Sequence, residues 1–183
     1  FCSDRGGNMN LWLMNTDGTQ ARALTEEKDA IFSSPSWTPD GLYVLARREE
    51  TSKAGIPPVE IFMFHRDGGS GIKIIGKDKI DTSAGPVASP DGRFIYLTGR
   101  PADFSYTPNM TNGLWHIFRY DRKTGEQVQL TTAPDGGLRP TLSPDGKQMV
   151  YARRSDAHTW LYLRDLSPGA GRPLSRDLAR DDH

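Results

Sequence analysis

The sequence predicts an all-β fold in which a four-stranded antiparallel unit repeats along the chain, and three observations carry that expectation. A tetrapeptide recurs in near-copy: Thr38-Pro39-Asp40-Gly41, Ser89-Pro90-Asp91-Gly92 and Ser143-Pro144-Asp145-Gly146. The copies are regularly spaced, with 51 residues from Asp40 to Asp91 and 54 from Asp91 to Asp145. Between copies, apolar runs and a second class of turn follow one another in a fixed order. Proline presets φ at the first corner of a turn, aspartate bonds its own backbone, and glycine accepts the positive φ that ends a tight reversal. Each copy is therefore a hairpin corner.

The elements follow in order from that corner. A short segment precedes it (33–37, 85–88, 139–142) and an apolar run follows it (42–46, 94–98, 148–152). An aromatic-bearing run comes next (11–14, 61–64, 114–120, 160–163), then a second turn (Asp17-Gly18, Asp67-Gly68-Gly69, 121–125, 167–171). A short run closing on Leu24, Ile75, Leu130 or Leu174 completes the unit. The spacing exceeds the roughly 40 to 45 residues of a four-stranded propeller blade, so the excess falls to loop insertions. Runs such as Leu11-Trp12-Leu13-Met14 and Phe94-Ile95-Tyr96-Leu97 are apolar throughout, as strands are when neighbours cover both faces of their sheet. The fold expected is a β-propeller of four-stranded antiparallel blades, here a partial arc of about three and a half. The blades fall at 1–25 (part), 33–75, 83–131 and 137–175, with a tail over 176–183. Residues 1–5 align with 151–155, so the first unit lacks its opening strand, and a fourth strand is expected at 172–175. The chain reads as a piece of a longer one, to which missing blades or an adjacent domain of the same polypeptide belong. The uncovered end faces of such an arc are expected to drive self-association.

Composition excludes several partners. With 36% hydrophobic residues, 19 glycines and 13 prolines among 183 residues, this is a turn-rich chain long enough for a core. Twenty-three basic and 23 acidic side chains cancel, leaving no electrostatic footprint for nucleic acid. No apolar run approaches the roughly 20 residues of a membrane span. The single cysteine, Cys2, rules out an intrachain disulfide framework and reads as a small buried hydrophobe.

The run Ser3-Asp4-Arg5-Gly6-Gly7-Asn8, then 11–19, then Ala23-Leu24-Thr25 and Ser34-Pro35-Ser36-Trp37-Thr38-Pro39-Asp40-Gly41 resembles the TolB-like, WD40-like β-propeller repeat over almost the whole chain. More narrowly, 37–44, 65–71 and 164–182 resemble the propeller that precedes the catalytic domain of bacterial imidazolonepropionase-like amidohydrolases. The metal ligands of that family belong to a following barrel domain, so none carries over to a residue here. The resemblance implies a non-catalytic module that packs against a hydrolase domain or restricts access to it, in a periplasmic or secreted protein.

The resemblance implies that the four strands of a blade run from inner strand A, before the Pro-Asp-Gly corner, through B and C to outer strand D, so that the B to C loops share a face with the connectors between blades, opposite the corners. Both long insertions, 49–59 and 101–113, are B to C loops, and function concentrates where loops grow. The second carries Phe104 and Tyr106, apolar material suited to a protein partner. An arginine recurs at the end of each B strand: Arg5, Arg47 with Arg48, Arg100, and Arg153 with Arg154. The candidate binding face is therefore Arg5, Arg48, Arg100, Arg154, Phe104 and Tyr106. A ring of arginines at the mouth of the channel would receive an anion or an acidic peptide. Connector carboxylates at Asp29, Asp81 and Asp135 recur with the same period and favour a structural use of the same arginines.

No catalytic residue, metal site or cofactor is expected. His65, His116, His158 and His183 show no metal-ligand spacing. Ser70 lies between glycines, yet Ile72 stands where a Gly-x-Ser-x-Gly elbow requires its second glycine. Two further functions stay open beside the amidohydrolase reading: a docking propeller of an envelope complex, and the propeller of a serine peptidase.

Overall fold

The computed structural model describes residues 1–51, 59–76, 80–101, 115–134, 136–155, 158–166 and 176–177. They form four antiparallel sheets in chain order. The first holds β1 (Cys2–Ser3), β2 (Asn10–Leu13) and β3 (Arg22–Ala23); the second β4 (Ala30–Trp37), β5 (Tyr43–Glu50), β6 (Val59–His65) and β7 (Ile72–Ile75). The third holds β8 (Ile80–Ala88), β9 (Phe94–Pro101), β10 (His116–Asp121) and β11 (Gln127–Gln129). The fourth holds β12 (Leu138–Leu142), β13 (Gln148–Ser155), β14 (His158–Asp165) and β15 (Arg176–Asp177). Each sheet is a meander in which consecutive strands pair. The inner strands begin earlier than the apolar pattern suggests, because Ala30 and Ile80 are fully buried and extend their ladders to Glu50 and Pro101. The strand that closes the fourth sheet pairs Arg176 with Leu163 and Asp177 with Tyr162, later than the expected 172–175, which lies outside the described residues.

The three corners share one hydrogen-bonded construction. At the first, Gly41 (φ 66°) donates its N–H to Thr38 O at 2.9 Å, and Asp40 Oδ1 accepts from Leu42 N at 3.0 Å. The Thr38 hydroxyl donates to the same carboxylate at 2.5 Å and accepts from Tyr43 N at 3.0 Å. Ser89 and Ser143 repeat both contacts with Asp91 and Phe94, and with Asp145 and Gln148. Donors from both sides hold all three aspartates below the ordinary carboxylate pKa, chiefly through the hydroxyl.

Alternation of side chains across each strand joins neighbouring sheets. Leu11 and Leu24 pack with Phe32, Val44, Ala46 and Phe64 between the first and second sheets. In β5 the intervening Leu45 turns the other way, joining Ile61, Met63 and Ile75 against Ile80, Ile95, Leu97, Phe118 and Tyr120 of the third sheet. Tyr96 and Ile117 point onward to Met149 and Tyr151 of the fourth. The middle sheets are thus apolar on both faces. Each fully buried large side chain contributes roughly 1.5 to 3 kcal/mol, so the stack of sheets is held by three such seams.

The inner strands carry a second repeat, unexpected from the corner motif. Pro35, Pro86 and Pro140 each stand four residues before the corner proline. Lacking an N–H, proline breaks the ladder, and the strand bulges. Between Ser33 and Ser36 three residue steps on β4 oppose two on β5, and the same shift occurs between Leu138 and Thr141. The third sheet shifts at the equivalent place, around Ala84 and Val87. Ser34 (φ 53°) and Arg139 (φ 51°) take up the left-handed backbone next to their prolines.

Candidate functional site

Of the six residues expected on the binding face, the described residues include four arginines; Phe104 and Tyr106, with insertion positions 52–58 and 102–114, lie outside them. Three of these four arginines, Arg5, Arg48 and Arg100, stack on an aromatic ring, and in the fourth sheet Arg153 does so in place of Arg154. Arg5 stacks over Trp12 at 4.9 Å and over Phe1 at 5.2 Å, and its Nε donates to Ser3 Oγ at 3.1 Å. Arg48 stacks over Phe62 at 5.3 Å, Arg100 over Trp115 at 4.6 Å, and Arg153 over Tyr162 at 4.3 Å. In every sheet, an arginine of the B strand or the loop after it caps an aromatic ring in, or one residue before, the strand that pairs next to it, a cation–π contact worth roughly 0.5 to 2 kcal/mol. Arg154, one residue past its stacked neighbour, is exposed.

Carboxylates complete the arrangement in the second sheet. Arg48 donates to Glu27 Oε2 through Nε at 2.8 Å and through Nη2 at 2.6 Å, with Glu50 at 3.5 Å on Nη1. The Glu27 hydrogen bond, outweighing partial burial, raises the guanidinium pKa further. Arg47 pairs with Glu49 at 2.7 Å. The connector partner is therefore Glu27 and not Asp29, whose carbonyl accepts from Thr51 N at 2.8 Å. Asp135 and the side chain of Asp81 lie outside the described residues.

Beside this connector lies a cleft of about 520 Å³ lined by Gly6, Asn10, Trp12, Thr25, Glu26 and Glu27 among others. Its polar floor is committed internally: Asn10 Oδ1 accepts from Thr25 Oγ1 at 2.8 Å and Glu27 N at 3.0 Å, and Asn8 Nδ2 donates to Ala30 O at 2.7 Å. These bonds hold the connector in place.

A different groove lies where the inner strands meet. Ser34-Pro35-Ser36, Gly85-Pro86-Val87 and Arg139-Pro140-Thr141, the three bulges, line a groove of about 260 Å³. Ser36 Oγ donates to Pro86 O at 2.5 Å and Arg139 N to Thr98 Oγ1 at 2.8 Å, which tie the second sheet to the third and the fourth to the third. Sequence reasoning missed Arg139; the signal that could have found it is the x-Pro repeat, which marks where each inner strand leaves its ladder.

The described histidines have separate partners. His65 Nδ1 accepts from Asp67 N at 3.3 Å and its ring meets Tyr43 edge-on at 5.0 Å; His116 Nδ1 lies 3.4 Å from Thr131 Oγ1. Among the described residues, no three His, Cys, Asp or Glu side chains come together as a metal-holding group. Cys2 is half-buried against the first apolar seam, and burial raises its pKa. Among the described residues no helix is long and apolar enough to cross a membrane.

Stacked antiparallel meanders, three of them four-stranded, with converging inner strands define an arc of a β-propeller. Comparison with solved structures gives the same fold. A structure assigned as TolB from Agrobacterium tumefaciens superposes with a TM-score of 0.64 at 20% identity, over 87% of this chain and 54% of that one. The β-propeller domain of the Trilobed protease from Pyrococcus furiosus superposes with a TM-score of 0.51 at 16% identity, over 75% of this chain and 40% of that one. No family model matches the sequence. A protein of Bacillus subtilis (strain 168) described as the uncharacterized peptidase YuxL is 26% identical over 167 residues, covering 83% of this chain. The match spans 19% of that protein's length.

Proposed function

We propose that this segment is the non-catalytic propeller of a larger hydrolase, packing against the catalytic domain and restricting which substrates reach it. The catalytic domain is a serine peptidase. The observation that carries the reading is the 26% identity to a protein described as a peptidase, of which this chain matches 19%. The stacked and ion-paired arginines support a non-catalytic role, since their charges are used to hold blade edges and connectors. An amidohydrolase partner is the second reading, supported by the resemblance of 37–44 and 65–71 to the propellers of that group. A periplasmic or secreted location rests on the same resemblance.

The test is inhibition of the full-length protein acting on a chromogenic peptide anilide. Turnover lost to phenylmethylsulfonyl fluoride and indifferent to a chelator supports the peptidase reading. Turnover lost to the chelator and indifferent to the fluoride overturns it in favour of the amidohydrolase. No turnover of either a peptide or an ester removes the hydrolase reading and leaves a docking propeller.

A further inference from the structure

We infer that the groove across the inner strands is a carboxylate-anchoring station, in which Arg139 holds the C-terminal carboxylate of a peptide lying along the channel wall. The inference rests on the peptidase reading for the class of substrate, and on the groove itself for the chemistry.

Arg139 differs from the stacked arginines Arg5, Arg48, Arg100 and Arg153. It is exposed, it lines the groove, and among the described residues its guanidinium has neither a carboxylate nor an aromatic partner. The hydroxyls of Ser34 and Thr141, which line the same groove, also have no hydrogen-bond partner among the described residues. One cationic fork with two hydroxyl donors matches a carboxylate, which accepts through two oxygens and favours a bidentate guanidinium. Among the described residues no acidic side chain lines the groove to neutralise the cation.

The backbone is arranged to keep these groups where they are. Ser34 and Arg139 both occupy left-handed conformations that side chains other than glycine rarely adopt, at equivalent places in two different sheets. Such strain persists where surrounding bonds enforce it and is concentrated at ligand clamps. Here the Arg139 N to Thr98 Oγ1 bond and the Ser36 Oγ to Pro86 O bond enforce it across the sheet boundaries. The groove crosses three inner strands, which leaves room for peptide beyond the carboxylate and selects an extended chain end over a compact anion.

The experiment is calorimetric titration of the full-length protein, with turnover blocked, using tetra-alanine as free acid, tetra-alanine amide, acetate and inorganic phosphate. The free acid is expected to bind about tenfold or more tighter than the amide, the scale of one hydrogen-bonded charge. Arg139→Asn is expected to abolish that difference, and Arg139→Lys to keep part of it. Asparagine tolerates the left-handed backbone, so the first variant keeps its fold, checked by an unchanged thermal midpoint. Equal binding of acid and amide, or discrimination that survives Arg139→Asn, overturns the inference. Acetate or phosphate binding as tightly as the peptide acid also overturns it, assigning the groove to a small anion. Binding is read without turnover, so a protein that cleaves no peptide yet discriminates acid from amide keeps the station while losing the peptidase reading. A peptidase that does not discriminate loses only the station.

Discussion

The Arg48 guanidinium lies 2.6 Å from the Glu27 carboxylate and 5.3 Å from the centre of the Phe62 ring, so one side chain fastens the connector between two blades to the middle of the second. Both partners keep some solvent contact, with 16% and 32% of their side-chain surface exposed, which moderates the attraction relative to a buried pair. Glu27→Gln is expected to cost about 1 kcal/mol, measured as the shift in urea midpoint. Asn10→Ala is expected to cost more, about 1 to 3 kcal/mol, because Asn10 is 5% exposed and its loss strands the donors of Thr25 and Glu27. A larger loss for Glu27→Gln than for Asn10→Ala would show that charge rather than buried hydrogen bonding holds the connector.

The corner hydroxyls give a second prediction. Ser89→Ala removes the donor to Asp91 and the acceptor for Phe94 N while leaving proline, aspartate and glycine in place. A loss of about 1 kcal/mol is expected in chemical denaturation, with Ser89→Thr close to wild type. An Ala variant as stable as wild type would mean that the other three residues suffice for the turn.

That corner also shows how far the sequence could be read. Proline, aspartate and glycine each have a local backbone role, so the turn, its period and hence the stacked four-stranded fold were legible from spacing. The hydroxyl at the first position was not, because its partners lie two and five residues on and depend on how the corner closes. The prolines at 35, 86 and 140 were present to be read, but a proline inside an expected strand says that the ladder breaks without saying which way the chain turns. The arginine period was legible and its acidic partner was placed two residues late, at Asp29 instead of Glu27, since the connector's path follows from the Asn8 and Asn10 bonds. Arg139 escaped notice because nothing in its neighbourhood repeats its charge.

Asp121 makes stability depend on acid. It is 3% exposed, pairs with Arg93 Nη2 at 2.6 Å, and accepts from Lys123 N at 2.8 Å; the Arg93 bond, ahead of the backbone donors, lowers its pKa to about 2. A carboxyl with a depressed native pKa binds fewer protons folded than unfolded, so its contribution is present above the ordinary value of 3.8 and is lost as pH falls toward 2. Urea midpoints measured between pH 5 and pH 2 should fall more steeply for wild type than for Asp121→Asn. Parallel curves would place the acid sensitivity elsewhere.

Gly71 faces two constraints that separate experimentally. Its φ is +76°, and a Cβ there would lie 2.4 Å from Cε1 of Phe64, whose ring is buried in the first seam. Gly18 has a φ of +85° with nothing within 4 Å of the same position. Gly18→Ala is expected to cost about 1 kcal/mol of backbone strain, and Gly71→Ala about 1 to 3 kcal/mol more for overpacking. Equal losses would mean that Phe64 moves aside without cost.

Substrate size tests the proposed function most directly. The full-length protein is given a tripeptide anilide and denatured casein in matched assays, and kcat/KM is compared. A propeller that restricts access to a peptidase predicts ready cleavage of the tripeptide and negligible release of fragments from casein. Casein cleaved as efficiently as the tripeptide would contradict that role.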